Sequence, residues 1–200
     1  MVTNKDQNSY RYKKVLALIK EKIPEYKSLN VLDVGVGNGT LEFAKVFNTI
    51  HAVDVDEEKL KNICGTNIEY TLTSGNKLPF KDDAFDLVSC ISTLDHIPNP
   101  LKAYRELCRV SKKYVLIGQG NNMLSLHLQK YFAPLTTTKP KDHLGHMCWI
   151  PFWKLNKISK KEGLKLLDTV YWGIGLSSFG RKLPSISINI SRFYFVLYKK

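Results

Sequence analysis

Residues 31–43, VLDVGVGNGTLEF, pass from a short apolar run into three glycines at alternate positions and then into a helical pattern. A strand, a glycine turn and a helix start in immediate succession confine a chain to few architectures. The turn must expose backbone amides at the end of a strand, where a ligand can approach without meeting a side chain.

The rest of the chain repeats the alternation. Residues 9–23 have helical spacing through Val15, Leu16, Leu18 and Ile19, and Pro24 stands where the helix should stop. After the glycine loop, TLEFAKVF reads as a helix, TIHAVDV as a strand, DEEKLKNIC as a helix with an acidic first turn, and NIEYTL as a strand. AFDLVSCI, PLKAYRELCRV and KYVLIG then give strand, helix and strand. Apolar strands separated by helices predict right-handed crossovers and a parallel sheet covered on both faces.

Beyond residue 118 the pattern is looser. Residues 119–152 are expected to form an insert or lid over the carboxyl edge of the sheet, where ligands of open α/β sheets bind. A helix ending near Gly163, a strand, and a closing strand in SRFYFVLYKK complete the expected order. Length and the absence of a Pro/Gly linker favour a single domain over residues 1–200.

The loop's spacing restricts its ligand. Gly35, Gly37 and Gly39 form G-x-G-x-G, not the G-x-G-x-x-G of dinucleotide sites, and no Gly-Lys-Ser/Thr follows to make a P-loop. Asp33, two residues before the first glycine, would repel a pyrophosphate and favour a ligand carrying an ammonium and a sulfonium. Asp54, at the end of the second strand, suits the two hydroxyls of a ribose.

DVGVGNG, VDVDEEKL, LPFKDDAFDLVSCISTLDHI and RELCRVSKKYVLIG, in that order and spacing, resemble the class I S-adenosylmethionine-dependent methyltransferases of the small-molecule type with the LPF and FDxV signature. The match covers roughly residues 10–118. The resemblance implies a Rossmann-like, doubly wound, mostly parallel seven-stranded sheet with helices on both faces and a C-terminal antiparallel strand. It implies that Asp33, Gly35, Gly37 and Gly39 surround the methionine part of S-adenosyl-L-methionine. Asp54 would bind the ribose, Val55 and Asp56 would lie beside the adenosine, Gly75 and Asn76 at the adenine, and Ile91 against the cofactor. Ser74 stands where the family often has an acid for the adenine amino group, and SKKYVLIG lacks the family's frequent Gly-Gly turn.

Methyl transfer from a sulfonium is an in-line displacement that needs alignment and exclusion of water more than catalytic side chains. A hydroxyl acceptor would use a base, and histidine is the usual one. The resemblance places His96 near the methyl donor, and His143 and His146 could reach over the site from the insert. The H-x-x-H spacing also suits a metal, but no ligand set completes it beyond Cys148, so no metal is expected. The four cysteines form no C-x-x-C pair and are expected as reduced thiols. Tyr10, Tyr12, Trp149, Phe152, Trp153 and Trp172 are candidates for core or for pocket walls.

Charge divides the chain. Residues 1–100 hold 12 basic and 14 acidic residues, whereas residues 101–200 hold 18 basic and 4 acidic. Such a field suits an anionic small molecule, a nucleic acid or an acidic membrane surface. Of the 30 basic residues 25 are lysine, which lacks the bidentate fork of arginine, and SCISTL replaces the D/N-P-P-Y motif of nucleic-acid amine methyltransferases. A small-molecule or lipid-like acceptor is therefore favoured over RNA or protein, with a noncatalytic S-adenosylmethionine-binding domain as the remaining alternative. The polar N-terminal segment and the lack of an apolar stretch of roughly 18 residues give the expectation of a cytoplasmic protein without a transmembrane segment. A peripheral membrane role would also suit the basic half, yet no strongly amphipathic basic helix compels it. Oligomeric state is not legible.

Overall fold

A computed structural model describes residues 4–63, 67–120, 150, 152–172 and 193–200. In chain order the elements are α1 (Asn4–Lys22), β1 (Val31–Val34), α2 (Asn38–Ala44), β2 (Ile50–Asp54), α3 (Glu57–Asn62), β3 (Ile68–Leu72) and β4 (Phe85–Ile91). They continue with α4 (Pro100–Val110), β5 (Ser111–Gly120), α5 (Phe152–Lys161), β6 (Lys165–Trp172) and β7 (Phe193–Lys199). Single 3-10 turns occupy Tyr26–Ser28 and Leu94–His96.

The strands form one seven-stranded sheet in the order β3-β2-β1-β4-β5-β7-β6. The pairs among β1 to β5 are parallel, and β7 runs antiparallel to both β5 and β6. This is the doubly wound, mostly parallel arrangement expected from the sequence, with β7 as its reversed strand. From β1 the chain winds outward to β2 and β3, then returns to place β4 on the other side of β1. The gap opened by that reversal is where open α/β sheets bind ligands.

Strand alternation sorts the core into two layers. Val31, Leu87, Leu116 and Leu197 face α1 and α2, packing with Val15, Ile19, Ile23, Phe43 and Phe47. Leu32, Val88, Val115 and Val196 face the opposite side, with Tyr104 and Leu107 of α4 and Leu155 of α5. Register keeps each layer continuous across strands: Val31 pairs with Leu87, Leu32 with Val88, Val88 with Val115 and Leu116 with Leu197. Each such fully buried side chain contributes roughly 1.5–3 kcal/mol.

Several boundaries differ from the sequence pattern for local reasons. α1 begins at Asn4, five residues before the first residue of the expected helix. α2 ends at Ala44, whereas the apolar pattern runs on to Phe47. The Asn67 side-chain amide donates to the carbonyls of Ala44 (2.7 Å) and Phe47 (3.2 Å), taking the acceptors a longer helix would use. Asp56 caps α3 by accepting from the Glu58 and Lys59 amides, and Asn99, at φ 60°, caps α4 ahead of Pro100. β5 follows α4 without a turn, which accounts for the missing Gly-Gly pair. Of the expected 119–152 insert, Gln119 and Gly120 belong to β5 and Phe152 opens α5; residues 121–149 and 151 lie outside the described ones.

Candidate functional site

At the carboxyl ends of β1, β2 and β4 the structure has an open cleft of about 420 Å³. Val34, Gly35 and Val36 form its floor, Val53, Asp54 and Val55 one wall, and Thr73, Ser74 and Gly75 the rim after β3. Ser92, Thr93, His96, Ile97 and Pro98, after β4, close the opposite side. Lys59 reaches it from α3 and lies 3.9 Å from Asp56. Its size is in the range of small-molecule sites.

The glycines of the loop differ in what surrounds them. Gly35 sits at φ +93°, and a Cβ there would lie 2.0 Å from Thr93 Oγ1. It therefore lets the β4 loop close onto the floor of the cleft. A Cβ on Gly39 would lie 2.1 Å from the ring of Tyr12, which packs edge-on against Phe43 at 6.3 Å. Gly37 is extended and has nothing within 4 Å of a notional Cβ. The Cβ side of Gly37 is thus open, while those of Gly35 and Gly39 face side chains of the protein itself.

Asp33 lies beneath the loop, not on the cleft wall. It is 4 % exposed, accepts from the Thr40 hydroxyl at 2.7 Å, and also accepts from the Ser89 hydroxyl. Thr40 in turn accepts from the Gly37 amide at 3.2 Å, so the buried carboxyl reaches the loop through one hydroxyl. Burial pushes Asp33 up to about 6, aided by the nearby charge of Asp54 and opposed by its two hydroxyl partners.

The carboxylate of Asp54 holds two loops together. Its Oδ2 accepts from the Val36 amide at 2.8 Å and its Oδ1 from the Asp56 amide at 3.0 Å. The lone pairs of the two oxygens that remain can take further donors from the cleft. Asp56 is committed to capping α3.

The rim after β3 is fixed from α4. Glu106 accepts from the Leu78 amide at 3.0 Å, and Arg109 donates to the carbonyls of Phe80 (2.8 Å) and Leu78 (3.1 Å). Arg109 also pairs with Glu106 and Asp82, which holds its guanidinium charged and, with burial working against it, keeps Glu106 below the usual carboxylate range. The LPF motif is thus clamped by RELCR. Ser74 accepts from the Asn76 amide at 3.3 Å and shapes the turn, while the Asn76 side chain donates to the Pro98 carbonyl, tying the two rims together.

Of the residues proposed from the sequence, Gly35, Asp54, Val55, Gly75 and His96 line the cleft. Asp33, Gly37, Gly39, Asp56 and Asn76 stand immediately behind or beside it in the roles given above. Ile91 ends β4 at 8 % exposure in the apolar layer on the α1 side, since it shares strand parity with Leu87. His96 is half-exposed, with Nε2 3.9 Å from Asp95 Oδ1. His143, His146 and Trp149 lie outside the described residues, as do the side chains of Tyr10 and Trp172. Among the described residues there is no group of three or more metal-ligating side chains, Cys90 and Cys108 are free thiols, and no helix is long and apolar enough to cross a membrane. Lys59, Ser92 and Thr93 were not legible as cleft residues, because only the chain reversal around β1 brings the β2 and β4 loops face to face.

A family described as "Methyltransferase domain" matches residues 32–117. An uncharacterized protein of Methanocaldococcus jannaschii is 35 % identical over 115 residues, covering 56 % of this chain and 54 % of that protein. A ubiquinone/menaquinone biosynthesis C-methyltransferase of Francisella tularensis subsp. tularensis is 31 % identical over 123 residues, covering 55 % and 47 %. The chain spans about half the length of the curated relatives it matches. Among solved structures, a magnesium protoporphyrin IX methyltransferase from Synechocystis with bound S-adenosylhomocysteine superposes with a TM-score of 0.73 at 14 % identity, over 100 % of this chain and 89 % of that one. An S-adenosylmethionine-dependent methyltransferase from Aquifex aeolicus gives 0.60 at 21 % identity, over 94 % and 88 %. The glycine loop and the β1 to β5 sheet that carries the cleft lie within or beside the residues that match the methyltransferase-domain family, and the sheet has the fold of these S-adenosylmethionine-dependent methyltransferases.

Proposed function

We propose that the chain binds S-adenosyl-L-methionine in the cleft and transfers its methyl group to a small-molecule or lipid-like acceptor. The observation that carries the reading is the pairing, across one cleft, of a floor at Gly35 after β1 and a carboxylate, Asp54, at the end of β2. That donor set fits the cofactor. The Asp54 carboxylate suits vicinal hydroxyls, the exposed Val55 offers an apolar surface beside it, and the buried Asp33 puts negative charge under the part of the loop where a cationic group would lie. Lys59, the one lysine or arginine among the cleft residues, lies 3.9 Å from Asp56, so a pyrophosphate would compete with that carboxylate for its cation.

When bound, the cofactor supplies an electrophilic methyl group on a sulfonium and departs as the neutral thioether S-adenosylhomocysteine. The chain's part is to hold and to align. Gly37 would allow close backbone approach, Asp54 would hold the ribose end, and the Ser74–Asn76 turn would border the adenine end. Thr93 and His96 line the cleft from the β4 loop and would border the acceptor there. For a hydroxyl or amine acceptor, His96 would take the departing proton.

The relatives named for quinone biosynthesis and for magnesium protoporphyrin IX support a small-molecule acceptor. Calorimetry with S-adenosylmethionine and S-adenosylhomocysteine tests the cofactor; absence of binding by both would end the reading. Transfer of labelled methyl groups into small-molecule, RNA and protein fractions of an extract then tests the acceptor, and label confined to RNA or protein would replace it. Cofactor binding without any turnover would identify a noncatalytic domain.

A further inference from the structure

α5 presents two unlike faces. Phe152, Leu155, Ile158 and Ser159 turn inward: Leu155 and Ser159 are fully buried, Phe152 packs edge-on against Tyr194 at 5.7 Å, and the Ser159 hydroxyl meets that of Tyr104 at 2.6 Å. Trp153, Lys154, Lys157, Lys160 and Lys161 are all exposed. At 100° per residue they fall within an arc of about 120° opposite the buried side.

This face is basic without compensation. Residues 152–172 contain two acidic side chains, and both are engaged elsewhere: Glu162 with Arg105 at 3.5 Å and Asp168 with Lys22 at 3.1 Å. Among the described residues, none of the four lysines of the arc forms an ion pair. Trp153 is 63 % exposed, the least covered aromatic ring of the described chain, and stands at the helix start beside this charge.

An exposed indole next to a lysine stripe matches the interface between water and anionic headgroups. The ring gains by leaving water while its N–H stays hydrated, and each ammonium is attracted without needing directional hydrogen bonds. RNA would be served better by arginine forks and stacked aromatic platforms, and α5 has no arginine. We propose that the solvent face of α5, through Trp153 and Lys154, Lys157, Lys160 and Lys161, docks this protein onto an anionic lipid surface. This rests on charge and geometry outside the cleft and holds whether or not the chain is a methyltransferase.

The test is co-sedimentation of the full chain with phosphatidylcholine vesicles and with mixed phosphatidylcholine/phosphatidylglycerol vesicles. Binding is expected to the mixed vesicles alone and to vanish at high salt. The triple variant Lys154→Glu/Lys157→Glu/Lys161→Glu should lower the partition coefficient by on the order of a hundredfold or more. Its circular dichroism spectrum should match the parent, since all three side chains are exposed. The parent's tryptophan emission should shift to the blue on mixed vesicles, and Trp153→Phe should lose that shift. No binding by the parent at low salt, equal binding by the triple variant, or retention of RNA but not vesicles would each overturn the proposal.

Discussion

The Val36 amide donates a 2.8 Å hydrogen bond to Oδ2 of Asp54, so the carboxylate at the end of β2 shapes the glycine loop before any ligand arrives. Replacing Asp54 removes a loop tie and a ligand acceptor together. Asp54→Ala should weaken S-adenosylhomocysteine binding by about 10- to 100-fold, the range for one or two hydrogen bonds to a charged group, as read by calorimetry. Asp54→Asn keeps an acceptor for the Val36 amide and should retain more of the thermal stability than of the affinity.

The glycines can be separated by what surrounds them. Gly37→Ala meets no protein atom within 4 Å, so it should leave the melting temperature near that of the parent while reducing cofactor affinity. Gly35→Ala is strained by its φ of +93° and by Thr93, and should destabilise the fold by about 1–3 kcal/mol or more.

Gly39 offers a coupling experiment. Gly39→Ala drives a methyl into the Tyr12 ring, whereas in a Tyr12→Ala background the obstruction is gone. A double-mutant cycle by chemical denaturation should give a coupling of about 1 kcal/mol or more, with the alanine at residue 39 far better tolerated in the second background.

Asp33 sets a pH dependence whose sign follows from its elevation. An unfolded chain releases this proton near pH 4, whereas the buried carboxyl holds it to about 6. Between those values the folded state binds more protons, so unfolding free energy should fall as pH rises, by roughly 3 kcal/mol across the window. Denaturation of Asp33→Asn between pH 4 and 7 should show a flatter profile than the parent.

The clamp on the LPF segment predicts a different signature. Arg109→Ala frees the carbonyls of Leu78 and Phe80 and leaves Glu106 without its cation, and should cost about 1–3 kcal/mol of stability. Because Glu106 is held below the usual carboxylate range, its share of the parent's stability is present above its unfolded pKa and is lost as pH falls through the folded one. The variant should lack that acid-side loss, and hydrogen exchange should show the Thr73–Phe80 segment less protected.

Much of the fold was legible because its signals are local. Apolar runs at strand spacing, amphipathic stretches at helical spacing, the acidic first turn of α3 and Pro24 after α1 are consequences of neighbouring residues. The end of α2 was not legible, because Asn67, 20 residues beyond Phe47, supplies the donor that stops it. The strand-and-helix order was thus determined by the sequence alone. The tertiary structure decided which side chains of the motifs meet the cleft. Strand parity buries Ile91 under α1, hydroxyl bonding buries Asp33 beneath the loop, and the reversal of winding at β1 sets Thr93 against Gly35 across 58 residues of chain. Such contacts depend on which face of a strand a residue takes and on which strands become neighbours, and both are settled only when the sheet assembles.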